Sequence, residues 1–265
     1  MSNKKQNFYN LIISVCALLC MWLVWVIAWL IVDDGYVIPS FTDTVKEIGA
    51  LMVSSEFWQA FGLTLARTAI SWLAATVLAA AVASAGAVFP AVRKFAAPFI
   101  AVFRTVPTMA ITLMLLIWSS PRVAPAIVSA LIVFPIAYAR FNSAFDGIDR
   151  KLTDMADVYN VPFGERLAKI YIPQVMPPVL SQIGPDFSLT LKVMVSAEVM
   201  CSTFNSLGGL IYQSNVFLNT AQMFALTICT IAAGGILSWL LGLLTYFTRR
   251  WTGAGNPRTK EARDD

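Results

Sequence analysis

Long runs without charge constrain this chain more than any other feature. Residues 11–32 contain no charged side chain, two lysines precede the run and two aspartates follow it. A helix needs about 20 mostly apolar residues to cross the hydrocarbon core of a bilayer. A secretory signal peptide has a shorter apolar core, of about 7–15 residues, that ends at a small-residue cleavage site. We therefore interpret residues 11–32 as a retained transmembrane helix.

The composition places the rest of the chain in a membrane as well. Of its 265 residues, 58% are apolar and 13% are charged, whereas soluble domains carry about 25% charged residues. The chain has no histidine, and its four cysteines lie in apolar runs without CxxC spacing. These features indicate no metal site and no redox pair. We expect no catalytic residues, no cofactor bound by this chain and no nucleic-acid partner.

The placement of basic residues predicts an all-α membrane protein with six transmembrane helices and both termini in the cytoplasm. Most of the 19 basic residues cluster before the first run, between the second and third, after the fourth and after the last. Basic residues mark the cytoplasmic side, so a fifth helix must cross within about residues 187–204, despite Lys192 and Glu198. The predicted spans are residues 11–32, 68–92, 95–118, 123–139, 187–204 and 224–247.

The segment between the first and second predicted spans also has a pattern. Residues 40–56 place apolar side chains at helical spacing after a Pro-Ser turn, which predicts an amphipathic helix on the outer membrane surface. No loop is long enough to form a separate soluble domain, so the chain is one domain over residues 1–265. Arg67, just before the second run, is interpreted as reaching the lipid headgroups.

The polar stretch 149–173 between the fourth and fifth spans predicts two short helices with a sharp bend. Its apolar positions recur at intervals of three and four and comprise Leu152, Met155, Ala156 and Tyr159. Asn160 tolerates the left-handed conformation that often ends helices, Pro162 fits the first turn of a second helix, and Pro173 ends that helix. The residues alone leave open whether this is a docking knob or a solvated hairpin.

This stretch resembles the EAA motif of ABC-transporter permeases, in which Glu-Ala-Ala is followed at fixed spacing by Gly and Pro. Asp154, Met155 and Ala156 stand at the Glu-Ala-Ala positions, Asn160 at the Gly and Pro173 at the closing Pro. Asp keeps the carboxylate and Asn can adopt the bend, whereas Met155 is bulkier than the family's Ala.

Further motifs extend the resemblance over about residues 38–250. They comprise Ile38-Pro39-Ser40, the Arg-x-x-Pro from Arg104 to Pro107, Phe134-Pro135, Ala197-Glu198 and Gly208-Gly209-Leu210-Ile211. In register, they resemble the nitrate/sulfonate/taurine-type permeases. The resemblance implies a type I ABC importer permease fold and a multi-pass location in a bacterial inner membrane.

The resemblance also implies partners. These are a second permease copy, two cytoplasmic ATPases that hold ATP and Mg, and an external substrate-binding protein. The residues implied to couple to the ATPase are Leu152, Asp154, Met155, Ala156, Tyr159, Asn160 and Pro173. None of the chain's lysines follows a glycine, so the phosphate-binding pattern GxxxxGK[ST] is absent and ATP must bind elsewhere.

Four residues within the predicted spans are candidates for the translocation pathway: Arg104, Pro107, Lys192 and Glu198. A charge at membrane depth normally faces the bundle interior, a partner charge or water. Lys192 is the better candidate, because the resembling family usually has an uncharged residue there. Arg104, Lys192 and Glu198 together carry a net positive charge, which favours an anionic or zwitterionic solute. Alternatively, Arg104 and Glu198 clamp the fold and Lys192 reaches the headgroups.

Two other classes of membrane protein are alternatives to an ABC importer permease. In an ion-coupled secondary transporter working without an ATPase, Glu198 would carry protons, and Pro107 and Gly234-Gly235 would break helices around a site. However, the chain shows no internal duplication. A membrane-embedded enzyme would need a cluster of reactive side chains at membrane depth, and the sequence offers none.

Overall fold

The computed structural model describes residues 3–32 and 34–251, and within these ranges the regular structure is helical with no strand. The all-α prediction is therefore confirmed. The basic tail after Trp251 lies outside the described residues. In chain order the helices are α1 (Asn3–Val32), α2 (Phe41–Val53), α3 (Ser55–Val88), α4 (Pro90–Thr105), α5 (Thr108–Trp118), α6 (Ala124–Asp146), α7 (Arg150–Val158), α8 (Phe163–Arg166), α9 (Ile172–Leu180), α10 (Ile183–Met200), α11 (Leu207–Val216) and α12 (Thr220–Trp251).

In the described part of the chain, four helices are long and apolar enough to cross a membrane. They are α1, α3, α6 and α12, and the bent pair α4–α5 makes a fifth if the two count as one span. The predicted fifth span corresponds to α10, whose 18 residues include Asp186, Lys192 and Glu198. Three charges make α10 too polar to qualify by composition, so the six-span topology stays a prediction.

The outer segment forms α2, which begins close to where the sequence predicts it. Ser40 caps the helix, because its Oγ accepts a hydrogen bond of 3.0 Å from the Asp43 backbone N–H. Ser40 also donates to the Asp43 carboxylate at 2.7 Å, and this hydrogen bond holds the pKa of Asp43 below its usual value. The helix buries Thr44 and Leu51 against the bundle.

The second span differs from the predicted residues 68–92 at both ends. The helix α3 begins at Ser55, directly after the N-cap Ser54, and therefore includes the charged residues Glu56 and Arg67. It ends at Val88 because Phe89 is extended and Pro90 opens the next helix. A residue before proline is disfavoured in the helical region, and proline suits a first turn.

The third predicted span, residues 95–118, is not one straight helix. The axes of α4 and α5 differ by 100°. Val106 is extended, with φ −69° and ψ 129°, and Pro107 precedes the first residue of α5. Because proline lacks an N–H and restricts the residue before it, the α-helical hydrogen bonding stops at this point.

The helix α10 lies at the centre of the bundle, where it packs against α3, α6, α11 and α12. The most extensive contact joins α3 and α6. Ala75, Ala79 and Ala83 of α3 are buried, and small side chains of this kind allow close helix approach. In contrast, α1 is exposed along its apolar window, although Trp25 Nε1 donates a hydrogen bond of 3.2 Å to the Pro39 carbonyl.

The helical segment after α8 does not end at Pro173, so that prediction is wrong. A π-helical turn at Leu167–Tyr171 is followed directly by α9, which contains Pro173 in its first turn and continues to Leu180. The Ile172 N–H pairs with the Leu167 carbonyl, five residues back. The extra residue in this turn puts Pro173 in the first turn of the following α-helical stretch, a position that suits proline.

Candidate functional site

The predicted coupling segment forms a bent pair of short helices. At the start of α7, the Asp149 side chain accepts a hydrogen bond of 2.9 Å from the Lys151 backbone N–H. After α7, Asn160 has φ 48°, the left-handed conformation expected from the sequence. The next helix begins after Pro162, whose carbonyl accepts from the backbone N–H groups of Glu165 and Arg166. The predicted bend is therefore present in the structure.

Arg166, which the sequence did not single out, fastens the two short helices together. Its Nη2 donates to the Ala156 carbonyl at 3.1 Å, its Nε donates to the Val161 carbonyl at 2.7 Å, and it pairs with the Asp157 carboxylate. An arginine can satisfy several acceptors with one planar group. No local spacing marks this role, because the acceptors belong to the preceding helix and the bend.

The four predicted contact positions of α7 fall into two groups. Ala156 is fully buried within the chain, at 0% exposure, whereas Leu152, Met155 and Tyr159 are 38%, 48% and 76% exposed. Val158, which the sequence analysis did not include, is 78% exposed. Asp154 and Asn160 are also exposed. The side chains open to a partner are therefore those around Ala156, and not Ala156 itself.

Glu198 lies in a buried cluster of hydrogen bonds, here called the Glu198 cluster (Thr64, Arg67, Glu198 and Gly208). Thr64 Oγ1 lies 2.9 Å from Glu198 Oε2, Arg67 Nη1 donates to Oε1 at 3.1 Å, and the Gly208 N–H donates to Oε2 at 3.2 Å. Glu198 has no exposed surface. The carboxylate thus joins α3, α10 and the start of α11. Arg67 pairs here and does not reach the headgroups.

Steric crowding beside the Glu198 cluster explains why glycine stands at positions 208 and 209. A Cβ atom on Gly208 would lie 2.4 Å from the Glu198 Cβ and 2.6 Å from the Val195 carbonyl oxygen. A Cβ atom on Gly209 would lie 2.0 Å from the Thr203 carbonyl oxygen. Ser206 caps α11 by accepting from the Gly209 N–H at 2.8 Å. Without these side chains, the first turn of α11 can pack on α10 and on the Thr203 backbone that follows it.

The other three pathway candidates lie elsewhere. Lys192 is exposed on α10 and shares a stripe with the exposed residues Pro185 and Ser196. Within the described residues, no carboxylate lies within ion-pair distance of Lys192. Arg104 is exposed near the end of α4, and its Nη2 donates to the Pro135 carbonyl at 3.3 Å. Pro107 forms the break before α5.

Another ion pair between spans was not predicted from the sequence. Arg140 of α6 pairs with Asp186 near the start of α10. The two side chains are 24% and 12% exposed. The sequence shows both residues but carries no signal that pairs them, because they lie in different helices.

Comparison with known proteins bears directly on these sites. Residues 78–253 match the protein family described as "Binding-protein-dependent transport system inner membrane component", which is well over half of the chain. The chain belongs to this family of ABC-importer permeases. The matched residues include the coupling segment and all four pathway candidates, whereas α1 and α2 precede them. Members of the family are transport subunits, not catalytic ones.

The permease has a recognisable relative over nearly its whole length. It is 22% identical over 249 residues to the "Putative aliphatic sulfonates transport permease protein SsuC" of Bacillus subtilis (strain 168). The alignment covers 94% of the permease and 89% of that relative.

Solved structures have the same fold as the permease. An amino acid ABC transporter crystallised with histidines has a TM-score of 0.60 at 16% identity and covers 80% of the permease and 98% of that chain. The inward-facing methionine transporter MetNI has a TM-score of 0.57 at 17% identity and covers 74% of the permease and 96% of that chain. The third structure is a bacterial alginate ABC transporter in complex with an alginate pentasaccharide-bound periplasmic protein. Its TM-score is 0.60 at 14% identity, and the match covers 96% of the permease and 97% of that chain. At these identities the likeness establishes the type I importer permease fold.

Proposed function

We propose that this permease forms the translocation pathway for a small organic anion, an aliphatic sulfonate or a solute of similar charge and size. The proposal rests first on Lys192, an exposed cation without an ion-pair partner in the described residues, on the central helix of the bundle. The relative SsuC is named as a permease for aliphatic sulfonates, which agrees with an anionic solute. A zwitterion is the other solute class that one lysine can attract.

The surroundings of Lys192 support a position in the pathway. The remaining faces of α10 are covered by other helices, and the open stripe carries Lys192 and Ser196. Polar side chains on a span avoid the lipid and face water or another subunit. The stripe on α10 therefore fits a surface that faces the central pathway or a second permease copy.

Transport through this pathway is driven by partner proteins in our proposal. Two ATPase subunits, with ATP and Mg, bind the exposed side chains of α7, and an external binding protein delivers the solute. The exposed apolar side chains Met155, Val158 and Tyr159 support this docking, as does the absence of a phosphate-binding motif in the sequence. We place the complex in a bacterial inner membrane, with two copies of this chain.

Uptake in reconstituted vesicles tests the role of Lys192. The permease is reconstituted with its ATPase and binding protein, and uptake of a radiolabelled aliphatic sulfonate is measured. We expect Lys192→Met to lower uptake about tenfold or more while basal ATP hydrolysis and complex recovery stay unchanged. Lys94→Met, which alters an exposed lysine outside α10, is the matched control. Wild-type uptake by Lys192→Met would show that Lys192 does not line the pathway, and it would contradict the proposal of an anionic solute.

The ion-coupled alternative is less well supported. It requires Glu198 to carry protons, but both carboxylate oxygens of Glu198 are engaged by Thr64, Arg67 and the Gly208 N–H. Vesicles that lack the ATPase distinguish the two mechanisms. Uptake driven by a proton or sodium gradient in these vesicles would contradict our proposal.

A further inference from the structure

A cavity of about 810 Å³ lies between the helix bundle and the coupling segment. Its walls come from the last turns of α3 and α6 on one side, and from α7, the π turn and α9 on the other. This volume is within the range of about 300–1,000 Å³ that is typical of small-molecule sites. The cavity is separate from Lys192 and from the Glu198 cluster.

The residues that line the cavity suit an amphiphile, a molecule with an apolar part and a charged part. Most of the lining is apolar and includes Val88, Phe141 and Val175. Two charged residues line the cavity, Asp146 and Arg150. Asp146 is already neutralised by Arg93, which donates two hydrogen bonds of 2.8 and 2.7 Å to its carboxylate. Arg150 has no ion-pair partner within the described residues. An apolar cavity with one free cation therefore complements a molecule with an apolar chain and an anionic head.

The position of the cavity identifies the source of that molecule. It lies where α3 and α6 end, and the ends of helices long and apolar enough to cross a membrane are where acyl chains meet headgroups. The basic clusters at this end of the bundle predict that it faces the cytoplasm. Basic pockets between helices at this side are typical binding sites for anionic lipid headgroups.

We infer that this cavity binds an anionic phospholipid, with an acyl chain against α3 and α6 and the phosphate at Arg150. The lipid lies between two parts of the protein, because Leu167 and Tyr171 of the π turn line the same cavity. It therefore fixes the distance between the bundle and the coupling segment. The lipid site does not depend on which solute is transported or on which ATPase binds.

Lipid titration of the purified full-length chain tests this inference. The delipidated protein in detergent is titrated with short-chain phosphatidylglycerol, with phosphatidylcholine of the same chain length, or with glycerol phosphate, and the melting temperature is followed. We expect phosphatidylglycerol alone to raise the melting temperature in a saturable manner. Arg150→Gln should weaken this binding about fivefold, the effect of one basic residue on an anionic lipid. Lys151→Gln, the neighbouring lysine that does not line the cavity, should leave it unchanged.

A second variant tests the apolar part of the site. Ala87→Trp fills the cavity from α3, and we expect it to abolish the phosphatidylglycerol effect. Ala81→Trp, on an exposed position of the same helix outside the cavity, should retain it. Equal shifts with phosphatidylcholine, saturable binding of glycerol phosphate alone, or equal losses for Arg150→Gln and Lys151→Gln would each overturn the inference.

Discussion

The Arg67 guanidinium of α3 donates a 3.1 Å hydrogen bond to Oε1 of Glu198, a carboxylate of α10 without exposed surface. The other carboxylate oxygen accepts from the N–H of Gly208, in the first turn of α11. Thr64 adds a third link, because its Oγ1 contacts Glu198 and accepts from the Leu207 N–H at 3.0 Å. The buried Glu198 carboxylate thus fixes α3, α10 and α11 relative to each other.

Removal of Arg67 should therefore destabilise the permease strongly. A buried ion pair that loses one partner leaves an uncompensated charge, which costs about 3–5 kcal/mol. We expect Arg67→Met to show this loss in denaturant unfolding of the detergent-solubilised protein. The double variant Arg67→Met with Glu198→Gln should be more stable than Arg67→Met alone, since the unpaired charge is gone. Equal stability of these two variants would show that the pairing charge is unimportant.

The first turn of α11 should tolerate no side chain at Gly208. We expect Gly208→Ala to destabilise the protein by about 1–3 kcal/mol, because its Cβ would overlap Glu198 and the backbone of α10. Gly235→Ala is the control, since no atom lies within 4 Å of the added Cβ and alanine favours a helix. Thermal unfolding of both variants measures the difference. A stable Gly208→Ala protein would contradict the close packing of α11 on α10.

Docking of the ATPase should depend on Met155 more specifically than on Ala156. Ala156→Asp would put a charge into the interior of the segment, so it disrupts the fold as well as any docking. Met155 is 48% exposed, and we expect Met155→Asp to leave the unfolding midpoint unchanged but prevent copurification of the ATPase. Met155→Leu, which keeps the apolar contact, should bind normally. Full recovery of the ATPase with Met155→Asp would exclude this face of α7.

Arg166 should keep the coupling segment rigid. We expect Arg166→Lys to increase amide hydrogen exchange in residues 150–166 about tenfold or more, since lysine cannot donate to both carbonyls at once. Lys169→Met is the comparison, because within the described part of the chain Lys169 forms an ion pair only with Glu165, one turn earlier. Both side chains of that pair are exposed to solvent, so it contributes little to stability. Similar exchange in both variants would show that Arg166 does not fasten the helices.

Thiol labelling should decide the topology that composition leaves open. In a background without the four native cysteines, we expect Ser120→Cys and Phe204→Cys to react with an impermeant reagent from outside. Lys169→Cys should react only from the cytoplasmic side. All three positions are exposed in the structure, whereas Gly208 is buried and unsuitable. Labelling of residues 169 and 204 from the same side would remove α10 as a membrane span.

Local rules predicted much of the coupling segment. The bend at Asn160 was predicted because a left-handed residue after a short amphipathic helix is encoded by neighbours along the chain. The continuation through Pro173 was not predicted, because proline usually ends a helix and the preceding π turn has no sequence signal. Proline has the same restricted backbone at both positions, but the helix axis turns by 100° at Pro107 and the helix continues through Pro173. Proline restricts the backbone, but the surrounding packing decides whether the helix resumes in the same direction.

The sequence by itself determined the membrane location, the helical class and the permease family, because these depend on composition and on spacings within single segments. The tertiary structure alone decided which charges meet. Arg67 with Glu198 and Arg140 with Asp186 join residues far apart in the chain, and no periodicity relates them. The tertiary structure also buried Ala156 and left Lys192 open. A helical pattern shows which residues share a face, but what covers that face depends on the packing of the whole bundle.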